Sequence, residues 1–87
     1  MFKEELEKAQ VMFKLARKNN WGHKYDRLEH FKRFQHLKEI VKSLSNIGWL
    51  IIYNKSNFTG ISLNTQYKKE ILEFIEKQMP HVKGMIG

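Results

Sequence analysis

The stretch SNIGWLIIYNKSNFTGISLNT, residues 45–65, decides the fold of this chain. Gly48 can end a preceding helix, and residues 49–53 form an apolar run rich in β-branched and aromatic side chains. A polar loop at 54–57 separates this run from a second one at 58–63. Two such runs joined by a short polar loop predict a β-hairpin. Because two strands alone are only marginally stable in water, helices must cover at least one face of the hairpin.

Helical spacing of apolar residues predicts a helix towards each end of the chain. Residues 2–18 carry acidic side chains in the first turns and basic ones in the last, which suits the helix dipole. Five apolar residues of this segment fall on one stripe: Phe2, Leu6, Ala9, Phe13 and Ala16. Residues 65–79 form the last helix, which Asn64 or Thr65 can cap and which Pro80 ends.

The segment between these elements changes its apolar side. Tyr25, Leu28 and Phe31 share one side of a helix that would start near His23. Nearly the opposite side carries a second apolar set: Phe34, Leu37, Ile40, Val41 and Leu44. Because one straight helix cannot hold both sets in the same core, two readings are open. Either the chain turns between Phe31 and Phe34, which we favour, or the two ends of one long helix pack against different partners.

The predicted fold class is therefore α+β. It has three N-terminal helical segments, of which the second and third could be one long helix, then a β-hairpin and a C-terminal helix. With 87 residues we expect one small domain at 1–79 and a flexible tail at 80–87.

Composition excludes several classes of protein. The chain has no cysteine, so it has no disulfide, no thiolate metal site and no cysteine nucleophile. No apolar run reaches the roughly 18 residues of a membrane span. Met1 leads directly into a charged helix rather than a signal peptide, so we expect a cytoplasmic protein.

Positive charge is concentrated in the middle of the chain. The net charge is +7, and residues 14–42 hold nine Lys/Arg against three Asp/Glu, which gives +6 for this segment alone. A basic centre between nearly neutral ends suggests an anionic partner such as nucleic acid. The alternative is a lysine-rich surface that is simply solvated.

Residues 39–74 resemble the second half of bacterial winged helix-turn-helix repressors. The matching positions are Ile40, Val41 and Leu44 for the buried side of a recognition helix, Gly48 and Trp49 for the entry to the wing, Lys55 for its tip, and 61–65 for its return. The resemblance implies a DNA-binding regulator with a winged-helix fold. It also implies a last helix that often dimerises.

In this interpretation the exposed side of residues 35–45 enters a DNA groove, and flanking cations hold phosphates. The side chains suited to base edges are Gln35, His36, Glu39, Lys42 and Ser43. The expected nucleic-acid contacts are Lys14, Arg17, Lys18, Lys24, Arg27, Lys32, Arg33, Gln35, His36, Lys38, Lys42 and Lys55. A homodimer, or another protein partner, is expected to use Phe2, Leu6, Tyr67, Ile71, Phe74 and Ile75.

Two other functions stay open at this point. A protein of mobile-element or phage type would use the same apolar residues to dock on a host protein or nucleoprotein complex and modulate it. A small metal-independent ribonuclease would place His23, Lys24, Arg27 and His30 around a scissile phosphate.

We expect no cofactor and no enzymatic step. His23, Asp26 and His30 could share one helix face, but the neighbouring Lys and Arg side chains would repel a divalent metal ion. Paired carboxylates, a glycine-rich phosphate loop and a nucleophile elbow are all missing from the sequence.

Overall fold

The chain folds as an α+β domain in the computed structural model, which describes residues 2–85 and the side chains from residue 4 onward. Three α-helices accompany a three-stranded antiparallel sheet within that range. The elements in chain order are α1 (Phe2–Arg17), β1 (Asp26–Arg27), a 3₁₀ turn (Leu28–Phe31), α2 (Leu37–Asn46), β2 (Leu50–Asn54), β3 (Thr59–Leu63), a 3₁₀ turn (Thr65–Tyr67), α3 (Lys68–Gln78) and a 3₁₀ turn (Pro80–Val82).

The predicted hairpin forms the larger part of the sheet. Strands β2 and β3 pair antiparallel, with Leu50 opposite Leu63 and Tyr53 opposite Gly60. Strand β1 pairs with the other edge of β3, which gives the strand order β1-β3-β2. This third strand was not predicted, because two residues are too few to show an alternating pattern.

Both helices that precede a strand end in the same hydrogen-bonded turn. At the end of α1, Asn19 has a φ of 60°, and the Asn20 N–H donates to the carbonyl of Leu15 at 2.9 Å. At the end of α2, Gly48 has a φ of 85°, and the Trp49 N–H returns to a carbonyl of the last helical turn at 3.0 Å. These are Schellman turns, which satisfy helix carbonyls and redirect the chain.

The helix expected to start near His23 is not formed. Tyr25 leads instead into β1, and the 3₁₀ turn Leu28–Phe31 follows. The change of apolar side does correspond to a turn, since the Phe34 N–H donates to the Phe31 carbonyl at 3.1 Å before α2 begins. Pairing with β3 overrides the helical spacing here, because tertiary hydrogen bonds outweigh weak local propensity.

The core lies between the helices and one face of the sheet. Its buried apolar side chains are Ala9, Val11, Met12, Leu15, Ala16, Phe31, Phe34, Ile40, Val41, Leu44, Leu50, Ile61, Leu63, Ile71, Ile75, Met79 and Val82. The stripe predicted for α1 was partly wrong, because Val11 and Leu15 are fully buried whereas Leu6 is 38% exposed. Helix α1 contacts α2, α3 and β3, so its buried side is wider than a single stripe and turned away from Leu6.

Helix α3 ends before Pro80 as its sequence predicts, but it starts at Lys68, because residues 65–67 form a 3₁₀ turn. Asn64 accepts a hydrogen bond from the Gln66 N–H at 3.0 Å and so caps the turn that precedes the helix. Pro80 begins a 3₁₀ turn directly after α3, and Val82 is only 3% exposed. The packed part of the chain therefore reaches Val82, three residues past the expected boundary at 79.

Two residues expected at a protein interface lie in this core. Ile71 and Ile75 are both 0% exposed, so they have no surface to offer to a second protein. The broad apolar side of α3 is used within the chain, since α3 packs on α1. This corrects the expectation for these two residues.

Candidate nucleic-acid interface

Helix α2 has an apolar inner side and a polar outer side. Ile40, Val41 and Leu44 are buried, at the positions expected for the inner side of a recognition helix. The exposed residues of α2 and of the two positions before it are Gln35, Lys38, Glu39, Lys42 and Asn46. Amide and ammonium groups of this kind can reach both base edges and phosphates.

His36 does not belong to that outer side. Its backbone N–H donates to Glu7 Oε1 at 3.2 Å, and its Nδ1 lies 3.4 Å from the same oxygen without hydrogen-bond geometry. Glu7 therefore holds the backbone of His36 at the junction of α1 and α2, and the imidazole lies beside the same carboxylate. Of the base-edge candidates, Ser43 is also half-buried, whereas Gln35, Glu39 and Lys42 are exposed.

The loop between β2 and β3, which we call the wing, lies beside the start of α2. An open groove of about 350 Å³ separates them. It is lined by Leu28, Glu29, Lys32, Leu37, Asn57, Phe58 and Thr59. Lys55 is exposed in the wing, where its N–H donates to the Phe58 carbonyl at 2.9 Å. The wing and the first turn of α2 thus share one end of the molecule.

A second groove, which we call the basic groove, lies along the C-terminal half of α1 and has a volume of about 500 Å³. Its lining residues are Gln10, Phe13, Lys14, Arg17, Lys18, Arg33 and Met79. Four of these are cations and none is a carboxylate. Arg33 comes from the turn before α2, so folding brings the basic end of α1 next to the segment that leads into α2.

Asp26 organises the side chains next to this groove. Its Oδ1 lies 2.6 Å from His30 Nδ1 and accepts the Arg27 N–H at 2.8 Å, and its Oδ2 lies 3.4 Å from Lys18 Nζ. Burial raises the pKa of Asp26, but the hydrogen bonds from His30 and Arg27 and the charge of Lys18 outweigh it, so the pKa falls below 3.8. Asp26 is therefore ionised at neutral pH, and it offsets part of the charge of Lys18.

The remaining expected contacts are spread over the surface. Lys14 Nζ is held by the His30 carbonyl at 2.6 Å, and Lys24 is exposed in the loop before β1. Arg27 lies on β1 and pairs with Glu29 at 3.1 Å. The expected set is thus divided between the outer side of α2, the wing, the basic groove and the sheet.

Three aromatic residues were missed by the reasoning from sequence. Tyr25, Tyr53 and Phe58 form a cluster next to Arg27 and Lys55. The signal was present in β2, where alternate residues of an antiparallel strand lie on opposite faces. In that pattern Tyr53 and the buried Leu50 lie on opposite faces of the sheet. Residues 49–53 were interpreted from sequence only as one apolar run and were not assigned to faces.

The rest of the expected protein interface is only partly exposed. Leu6 is 38% exposed, while Tyr67 and Phe74 are half-buried and pack against the core. Phe74 meets Trp49 edge to face at 5.9 Å between ring centroids. The side chain of Phe2 lies outside the described residues.

The described residues contain neither a cluster of metal ligands nor a membrane-spanning helix. No three His, Asp or Glu side chains there come together as metal ligands would. No helix within residues 2–85 has the length and apolar character needed to cross a bilayer. Comparisons with protein-family models, with curated proteins and with solved structures found no match to the chain.

Proposed function

We propose that this protein binds duplex DNA through the outer side of α2 and the wing, and that it acts as a small regulator without an enzymatic step. The observation that carries the proposal is the position of the wing beside the first turn of α2. A helix with a polar outer side can enter the major groove of DNA, and a loop at the same end can contact the adjacent backbone.

The order of elements from α2 to α3 supports the proposal. Helix, strand, polar loop, returning strand and helix follow one another as the resemblance to winged helix-turn-helix repressors implies. Lys38 and Lys42 are exposed one helical turn apart, and Gln35 lies one turn before Lys38. In this proposal Gln35 and Lys42 read bases, whereas the flanking cations, Arg27, Lys32 and Arg33 among them, hold phosphates.

The proposed regulator is a homodimer, as expected for a protein that reads two half-sites. Leu6, Tyr67 and Phe74 remain as its contact residues. Analytical ultracentrifugation measures the mass directly. A monomer at all concentrations would remove dimerisation from the proposal and leave DNA binding untouched.

The experiment is a titration of fluorescent duplex DNA with a variant in which Arg27, Lys32 and Arg33 are replaced by alanine. Log affinity falls linearly with log salt concentration, and each lost phosphate contact makes this slope shallower by about 0.9. For three lost contacts we expect the slope between 50 and 200 mM salt to become shallower by about 2.7. The matched control replaces Lys69, Lys77 and Lys83 by alanine, because these lysines are also exposed and the charge change is equal.

The control variant should bind DNA nearly as wild type does. Gln35→Ala should change which sequences are enriched from a pool of random duplexes while keeping the salt slope. Equal affinity of the wild type and the Arg27, Lys32, Arg33 variant at about 100 mM salt would refute the proposal.

A second candidate function, RNA cleavage, is favoured by the pair of Asp26 and His30. The 2.6 Å contact orients the half-exposed imidazole, which lies beside Lys18. His30 would accept the proton of a ribose 2′-hydroxyl as that oxygen attacks the phosphate and the 5′-oxygen leaves. Incubation with RNA tests this candidate, since His30→Gln should abolish cleavage, and intact RNA after incubation with wild type would exclude it.

A further inference from the structure

The sheet has a second face whose aromatic side chains have no role in the proposed duplex interface. Paired residues of an antiparallel sheet lie on the same face. The pair of Leu50 and Leu63 belongs to the core face, so the pair of Tyr53 and Gly60 belongs to the opposite face, which we call the outer face. Arg27 is also opposite Gly60 and so lies on the outer face.

Aromatic rings cover the centre of the outer face. The ring centroid of Tyr25 lies 5.1 Å from that of Tyr53 and 5.9 Å from that of Phe58. A Cβ at Gly60 would lie 2.6 Å from Tyr25 Cδ1, so the Tyr25 ring rests directly on the glycine backbone. The Tyr53 hydroxyl donates to the Gly22 carbonyl at 2.7 Å, which fixes that ring across the sheet.

Cationic side chains are the neighbours of these rings on the outer face. The Arg27 guanidinium carbon lies 4.3 Å from the centroid of Phe58. Lys55 Nζ lies 5.7 Å from the centroid of Tyr25 and 5.8 Å from that of Tyr53. All three rings are half-buried, so each keeps some surface in contact with solvent. Both cations are on long flexible side chains that can move from a ring to a phosphate.

We propose that the outer face binds single-stranded nucleic acid by stacking unpaired bases on Tyr25 and Phe58. Arg27 and Lys55 then contact the phosphates, as in other single-strand sites that combine aromatic platforms with cations. A duplex hides the faces of its bases, so this site selects unpaired strands. It tolerates any base sequence, because every base has a π-face. The inference goes beyond duplex binding, since it assigns base stacking to Tyr25 and Phe58 and concerns a different form of nucleic acid. The cations Arg27 and Lys55 are shared with the proposed duplex contacts.

The test measures the fluorescence anisotropy of a labelled oligothymidylate of about 12 nucleotides, a length that a single small binding site can cover. Tyr25→Leu and Phe58→Leu remove a π-face and keep an apolar side chain. Each should weaken binding by at least about five-fold, the lower end of the range for one stacked base. Tyr25→Phe keeps the ring and should bind as wild type does.

Phe31→Leu is the matched control, because Phe31 is an aromatic residue that is 0% exposed in the core and cannot stack on a base. It should leave the affinity for the oligonucleotide unchanged. Circular dichroism confirms that each variant is folded, and Phe58→Leu keeps the test decisive if Tyr25→Leu does not fold.

Three results would overturn the inference. These are no binding of the oligonucleotide by wild type, equal affinities of the wild type and of the Tyr25→Leu and Phe58→Leu variants, and an equal loss of affinity in Phe31→Leu. Heparin, a polyanion without bases, should bind wild type and Tyr25→Leu with equal affinity, because it makes no stacking contact. The duplex titration with Lys38 and Lys42 replaced by alanine reports on the proposed function separately, because these variants should keep their affinity for the single strand.

Discussion

Gly48 joins α2 to β2, and its replacement by alanine should destabilise the domain measurably. A non-glycine residue in the left-handed region costs about 1–2 kcal/mol, and Gly48 has a φ of 85°. A Cβ would also lie 3.3 Å from Tyr67 Cε2, so the ring must shift by a few tenths of an ångström. Together we expect a loss of roughly 1.5–2.5 kcal/mol in the free energy of unfolding. For a domain of this size that corresponds to a fall of roughly 6–20 °C in Tm.

The assay is thermal and urea denaturation followed by circular dichroism. Gly84→Ala is the matched control, because Gly84 also has a φ of 85° but nothing lies within 4 Å of its Cβ position. It should cost less than Gly48→Ala. A double-mutant cycle with Tyr67→Leu isolates the contribution of the ring contact. If Gly48→Ala melts at the same temperature as wild type, the left-handed turn is not the structure that ends α2.

Three further outcomes follow from individual contacts. Ile75→Ala should lower the free energy of unfolding by about 2–5 kcal/mol in urea titrations, without changing the mass in ultracentrifugation, because the side chain is 0% exposed in the chain's own core. Tyr53→Phe should cost about 0.5–1.5 kcal/mol through the lost hydrogen bond to Gly22. The lowered pKa of Asp26 stabilises the fold above about pH 4, and this contribution is lost as the pH falls through the folded value. The stability difference between wild type and Asp26→Asn should therefore shrink from pH 4 towards pH 2, measured by urea denaturation at each pH.

The hairpin and the helix ends could be predicted because their signals are local. Gly48 needs only its own backbone freedom to end α2, and Asn64 needs only the N–H of Gln66 to cap the following turn. The turn after Phe31 was also predictable, since one helix cannot bury two opposite apolar sets. In each case the physical cause lies within a few residues of the signal.

Strand β1 and the outer face could not be predicted in the same way. Tyr25 and Phe31 have helical spacing, yet Tyr25 rests on Gly60 and Phe31 lies in the core. What separates them is pairing of residues 26–27 with β3, more than thirty positions along the chain. Such pairing depends on the register of distant strands, which no window of local sequence contains.

The positions of the charged residues in the candidate site could also be predicted only in part. The cluster of cations was predicted as a region of the chain, but its division between separate surfaces was not. Arg33 lines the basic groove with Lys14 and Lys18, whereas Lys38 and Lys42 lie on the outer side of α2. His36 has the residue type of a base-contacting side chain, but Glu7 holds it at the junction with α1. Exposure on a helix depends on which neighbours pack there, and those neighbours come from elsewhere in the chain.

The groups that the cationic side chains contact give a physical reason to expect binding of a polyanion. Four of the twelve expected nucleic-acid contacts lie over aromatic rings and make no ion pair among the described residues: Lys14, Arg17, Arg33 and Lys55. Arg27 lies over Phe58 but also pairs with Glu29. An exposed cation–π contact and an exposed ion pair stabilise a fold by similar amounts, about 0.5–1 kcal/mol and about 0–1 kcal/mol. The two contacts differ in the electrostatic field around the cation, because a carboxylate cancels the positive charge and an aromatic ring does not. A surface that only had to be stable could use either partner. Rings hold these long side chains in place while their charge stays available to phosphates, and that arrangement favours association with nucleic acid.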